Sequence, residues 1–157
     1  MDFSKKQISL LVSLALTIMS IIFVSTMTFY NLNMGILGNY ALEYSHIAYG
    51  ASFNFFGNQQ IFEASIINQL AYYFLLLGLF LLLAKLFFKP VTRTKEIGYL
   101  GFIVLFISAL IFVFSKEFIV QTDPDATYNI ETLTGVTLTF VTTLLASFGF
   151  LISEVIK

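Results

Sequence analysis

SIINQLAYYFLLLGLFLLLAKLFFKPVTRTKEIGYLGFIVLFISALIFVF, residues 65–114, holds two long apolar runs joined by a short basic turn. The runs cover about 65–88 and 97–114. Each is close to the ~20 residues that carry a helix across ~30 Å of hydrocarbon at about 1.5 Å per residue. Hydrocarbon offers no hydrogen-bond partners, so the backbone of each run must satisfy itself, as a helix. Pro90 lacks the N–H that a helix interior needs and steers Lys89 away from helical geometry. The turn KPVTRTKE, 89–96, is short, so the two spans are expected to be antiparallel neighbours.

Working outward, two further apolar runs appear, at about 8–29 and 131–152. The first follows Lys5 and Lys6, as a signal peptide would. It is longer than a signal's apolar region of about 7–15 residues and has no small-residue cleavage site, so it is read as a retained span. No series of short alternating segments suggests a β-barrel. The expectation is an all-α, single-domain protein over 1–157: an integral membrane four-transmembrane-helix bundle with one long outer loop.

Composition agrees. The chain has 157 residues, 58% hydrophobic and 11% charged, against about 25% charged in soluble domains. Net charge is −1, and no basic stripe is present for nucleic acid to meet. Cysteine is absent, which removes disulfides, thiolate metal sites and thiol redox chemistry.

Basic residues set the expected orientation. Lys5, Lys6, Lys85, Lys89, Arg93, Lys95 and Lys157 share one side, and Lys116 alone lies on the other. The acidic Glu43, Glu63, Glu117, Asp123, Asp125 and Glu131 lie with Lys116. By the positive-inside rule both termini are cytoplasmic. The outer connections then span about 30–64 and 115–130, the second containing the turn residues Asp123, Pro124 and Asp125.

Small residues let helices approach closely in lipid, and hydroxyls can bond across them. At 100° per residue, Thr132, Gly135, Thr139, Thr142, Thr143, Ala146 and Ser147 share one half of the fourth span. Ser13, Thr17 and Ser20 form a weaker seam on the first. Both sets are read as helix-packing residues, with a polar pore lining as the alternative. No span carries an ionisable residue at its centre, which argues against proton coupling. Lys85 lies near the end of its span, placed to snorkel or to pair with Glu154.

The long outer loop contains NYALEYSHIAYGASFNFFGNQQ, 39–60. Leu42, His46, Tyr49, Phe53 and Phe56 step by 4, 3, 4 and 3, one face of a helix. The spacing predicts an interfacial helix over about 40–56, with Asn39 as N-cap and Gly57 as stop, although Gly50 interrupts it and 53–55 alternates as a strand would. These five residues are candidate partner-binding positions. Tyr and Phe suit a bilayer interface, and a large apolar patch marks an interaction site.

Nothing points to a cofactor. His46 is the only histidine, too few for a three-ligand zinc site without a cluster of acids. Residues 123–134 fail as a calcium loop, since Tyr128 stands where the turn glycine belongs and Thr134 where the bidentate Glu belongs. No metal site and no catalytic residue is therefore assigned.

A long first outer loop, a short inner turn and a shorter second outer loop resemble the topology of claudin-type and tetraspan proteins. The claudin first-loop signature of Trp and a Cys pair does not occur here. The leading expectation is a non-catalytic membrane subunit or adaptor whose partners are lipids, other integral membrane proteins or further copies of itself. A carrier or channel for a neutral or apolar small molecule is the second expectation. A membrane enzyme acting on a lipid or quinone through Glu43, His46 and Glu63 is the third.

Overall fold

A computed structural model of the chain describes residues 4–34, 38–54, 58–87, 94–122 and 128–156, with the side chains of 53–54, 58–60 and 94 left out. The expected turns at Pro90 and at 123–125, and the stop at Gly57, lie outside the described residues. The fold is mostly helical, and four helices are long and apolar enough to cross a membrane. They are α1 (Lys5–Thr26), α3 (Ile66–Phe87), α4 (Thr94–Val113) and α5 (Thr134–Val155). Helix α1 starts where Ser4 caps it. The Gln7 N–H donates to Ser4 Oγ at 3.3 Å, and the Ser4 N–H donates back to Gln7 Oε1 at 2.9 Å.

Two span boundaries differ from the expected ones. The first helix ends at Thr26 rather than 29, and the last begins at Thr134 rather than 131. The missing residues have become strand. β1 (Thr28–Asn33) pairs antiparallel with β6 (Asn129–Thr132), joining Tyr30 to Thr132 and Asn31 to Glu131. Hydropathy does not distinguish an apolar residue inside a helix from one in the strand that follows it. Thr132, expected to pack within the fourth span, is an exposed strand residue instead.

Helix α1 packs on α5, α5 on α4 and α4 on α3, with a looser approach of α3 to α1 closing the circuit. Small residues occupy the crossings. Gly149 lies against Ser13, Gly101 against the Phe150 ring and Gly78 against Leu105. Ser9 Oγ donates to the Gly149 carbonyl at 2.8 Å, Ser20 Oγ to Thr142 Oγ1 at 2.7 Å, and Ser108 Oγ to the Ala71 carbonyl at 2.8 Å. Leu placed at Thr143 or Ala146, both fully buried, should overpack this interior and lower stability by about 1–3 kcal/mol. Leu144→Phe, on a half-buried position, should be milder. Denaturant unfolding in detergent checks the order.

The two connections at one end of the bundle form a crown over it. β1 is the centre of a three-stranded sheet, between β2 (Asn39–Glu43) and β6. A second sheet has the order β3 (Ala51–Asn54), β4 (Asn58–Glu63), β5 (Val120–Gln121). A one-and-a-half-turn helix, α2 (Tyr44–Tyr49), links the two sheets. The long helix expected over 40–56 is thus corrected to six helical residues flanked by strands. Gly50, at φ 88°, ends the helix in a conformation that side-chain-bearing residues rarely adopt. On the other flank, residues 39–43 take up the hydrogen bonds that β1 offers. A periodicity of 3.6 counts only side-chain positions, and here strand pairing decided the backbone.

Candidate functional site

The crown end of the bundle is plugged by rings. Phe29 and Tyr30 from β1, Tyr44 from α2 and Phe112 from α4 are all at most 2% exposed. Tyr44 lies 5.0 Å from both Phe29 and Phe112, centroid to centroid, in tilted and edge-on arrangements favoured by ring quadrupoles. The two phenols reach polar partners within this apolar plug. The Tyr44 hydroxyl donates to the Asn68 carbonyl at 2.7 Å. Tyr30 and Ser115 hydroxyls are 2.5 Å apart, and Ser115 Oγ also donates to the Phe112 carbonyl at 2.7 Å, which leaves the Tyr30 hydroxyl as donor to Ser115. Asn68 Nδ2 bridges the carbonyls of Ser115 and Phe118 at 3.3 and 3.4 Å. One polar latch therefore ties β1, α2, α3 and the 3-10 turn Ser115–Phe118 together.

Burial raises the Tyr30 phenol from its ordinary 10.0 to about 12. Burial pushes Tyr44 up as well. A folded-state value above the unfolded one means that this stabilisation is fully present below pH 10 and is lost as pH rises through 12. Alkaline titration should show a late tyrosinate phase, from Tyr30 and Tyr44, coinciding with loss of near-ultraviolet circular dichroism. Ionisation of all eight tyrosines in one early phase would contradict the latch.

Beside the plug, a cleft of about 270 Å³ is lined by Val24, Ser25, Glu43, Tyr44, Ser45, Tyr49 and Tyr72. It lies where the last turn of α1, the start of α2 and the second turn of α3 converge. The Tyr49 phenol is raised above its usual value, first by desolvation and then by Tyr73 beside it. Ser45 Oγ donates to Glu43 Oε2 at 3.4 Å, and the Glu43 N–H donates to His46 Nδ1 at 3.2 Å.

At the opposite end of the bundle, Lys85 and Glu154 form an ion pair with side chains only 10% and 5% exposed. Lys85 Nζ also donates to Ser153 Oγ at 3.3 Å and lies 5.9 Å from the Phe150 ring centre. Glu154 rests against Gly98, where any Cβ would meet it.

The five candidate partner-binding residues do not share one face. Leu42 is fully buried in β2, His46 is half-buried in α2, and Tyr49 is 50% exposed at the end of α2. The Phe53 backbone pairs with Gln59 in the second sheet, and Phe56 lies outside the described residues. The face of α2 that meets the protein is Tyr44, Ile47 and Ala48. On the spans, Gly135, Thr139, Thr142, Thr143, Ala146 and Ser147 are buried on α5, and Ser13, Thr17 and Ser20 on α1. Phe150 and Val136, which interrupt the small-residue pattern, are buried too. The roles of Tyr30 and Ser115 escaped the sequence, because a pairing between residues 85 positions apart leaves no periodic trace. Asn68, polar at the start of a span, was the one available signal.

Among the described residues no three His, Asp or Glu come together as a metal site would require. No protein-family model, curated protein or solved structure matches the chain.

Proposed function

We propose that this chain is a non-catalytic integral membrane subunit or adaptor, with both termini cytoplasmic and the crown outside. It acts by packing against partner membrane proteins through its spans and crown. One observation carries this reading: most buried polar groups of the helices are engaged in packing, with Asn68 Oδ1 and the Thr139 hydroxyl the two left without a hydrogen-bond partner among the described residues. Ser20 bonds Thr142 across α1 and α5, and the Thr17 and Thr143 hydroxyls donate to the carbonyls one turn back, of Ser13 and Thr139. Thr139, Thr143 and Ser147 are fully buried. A hydroxyl face enclosed in a helix contact supports a fixed scaffold better than a lined path for a solute. The enzyme reading lacks an assembled site, since the crown-end cleft is lined by Glu43 but not by His46 or Glu63.

The test is recovery of partners from native membranes in mild detergent. Tyr49→Ala should weaken recovery by about 1 kcal/mol or more, as aromatic contacts at interfaces do, and His46→Gln should change little. A His46→Gln protein that keeps its partners yet loses function would end the adaptor reading. A tag placed between 123 and 129 should be labelled from outside intact cells and one at the C-terminus should not. The reverse pattern would overturn the orientation.

A further inference from the structure

The crown-end cleft presents one sign of charge. Glu43 is the only ionisable carboxylate or base in its lining. The buried ion pair of Lys85 with Glu154 is at the other end of the bundle, and no lysine, arginine or histidine lines the cleft beside Glu43. Val24 and Ser25 belong to the last turn of α1, which contains no basic residue. The terminal carbonyls of that turn carry the negative end of the helix dipole. The remaining walls are Tyr44, Tyr49 and Tyr72, with the Ser25 and Ser45 hydroxyls. A carboxylate, a helix C-terminus and tyrosine rings all attract a cation and repel phosphate or carboxylate.

Which cation follows from the walls. A divalent metal needs several oxygen ligands, and Glu43 stands in no group of three acidic or histidine side chains among the described residues. Aromatic walls instead suit a weakly hydrated organic cation, above all a methylated ammonium. The cleft volume, about 270 Å³, is below the range of about 300–1,000 Å³ typical of drug-sized ligands, and fits a small head rather than a large molecule. The cleft also lies at the ends of two spans, on the looser side of the bundle between α1 and α3. That is the level of lipid headgroups.

We propose that this cleft is a binding site for an organic ammonium group, with Glu43 as counter-ion and Tyr49 and Tyr72 as its aromatic walls. The group is carried either by a zwitterionic lipid headgroup or by a free methylated amine. The site depends on the isolated chain alone, so it stands or falls separately from the adaptor reading.

The experiment uses the full chain in nanodiscs made only of phosphatidylglycerol, which offers no ammonium. Choline is titrated, and binding is read as heat by titration calorimetry against empty nanodiscs of the same lipid. A saturable change is expected with choline and none with its uncharged carbon isostere, neohexanol. Glu43→Gln should weaken choline binding by about tenfold or more. Tyr49→Leu, which keeps apolar bulk but removes the ring, should weaken it several-fold and provides the reading if Glu43→Gln fails to fold. Repetition in phosphatidylcholine nanodiscs identifies the source. Loss of the response to free choline means that the lipid headgroup occupies the cleft, and an unchanged response means that a free amine is the ligand. No response to choline, an equal response to neohexanol, or unchanged affinity in folded Glu43→Gln protein would overturn the proposal.

Discussion

Lys85→Met should destabilise the bundle by about 3–5 kcal/mol, the usual result of removing one partner from a buried ion pair. It leaves the Glu154 carboxylate, 5% exposed, pressed against Gly98, with the Ser153 hydroxyl 3.3 Å from Oε1. Glu154→Gln should cost less, toward the lower end of that range, because the freed Lys85 can extend its long stem toward the interface, whereas the glutamate stem is short. The double change Lys85→Met with Glu154→Leu should recover most of the loss. A well-packed apolar pair avoids the desolvation of two charges and often matches or exceeds the ion pair it replaces. Thermal and denaturant unfolding of all three variants in one detergent provides the comparison. A Lys85→Met protein within about 1 kcal/mol of wild type would show that water reaches the pair and that its burial contributes little.

Gly50→Ala should be the most damaging small change in the crown. At φ 88° and ψ 157° this residue occupies a region essentially reserved for glycine, where a side chain costs about 1–3 kcal/mol. Space adds to the strain, because an added Cβ would come 2.8 Å from the Phe62 carbonyl oxygen, a backbone atom that cannot turn aside. α2 would have to shift off β4, and with it Tyr44, whose hydroxyl is bonded to α3. Gly38 supplies the control. It too has a positive φ, 95°, but an added Cβ there meets nothing within 4 Å. Gly38→Ala should therefore cost only the conformational part. Hydrogen exchange of the crown amides distinguishes them: Gly50→Ala should raise exchange across 44–63 while the four long helices stay protected. Equal effects at the two glycines would mean that the Phe62 contact yields easily.

The four helices long and apolar enough to cross a membrane were legible in the sequence because the capacity to cross hydrocarbon is a local property. About 20 apolar residues are sufficient, whatever the rest of the chain does. The small-residue and hydroxyl positions of α1 and α5 were legible for a related reason: side chains that allow close backbone approach recur at helical spacing. Even Gly50 was marked as an interruption of the 39–60 pattern. The crown was not legible, because its structure depends on partners far away in the chain. β1 needed β6, from the other connection, before residues 28–29 and 131–132 could leave the helices that hydropathy assigned to them. Once β1 and β2 paired, the stripe Leu42, His46, Tyr49 lost its common face and Tyr44 turned inward instead.

By itself, then, the sequence determined the number of helices long and apolar enough to span a membrane and the residue types available to pack them. Only the tertiary structure decided which rings seal the bundle, that Lys85 meets Glu154, and that Glu43 shares a cleft with Tyr72. Transfer into hydrocarbon is summed over neighbouring residues, so composition records it. Strand pairs, ion pairs and clefts require residues tens of positions apart to meet, and their stability comes from close packing and hydrogen bonds that exist only after the chain has folded.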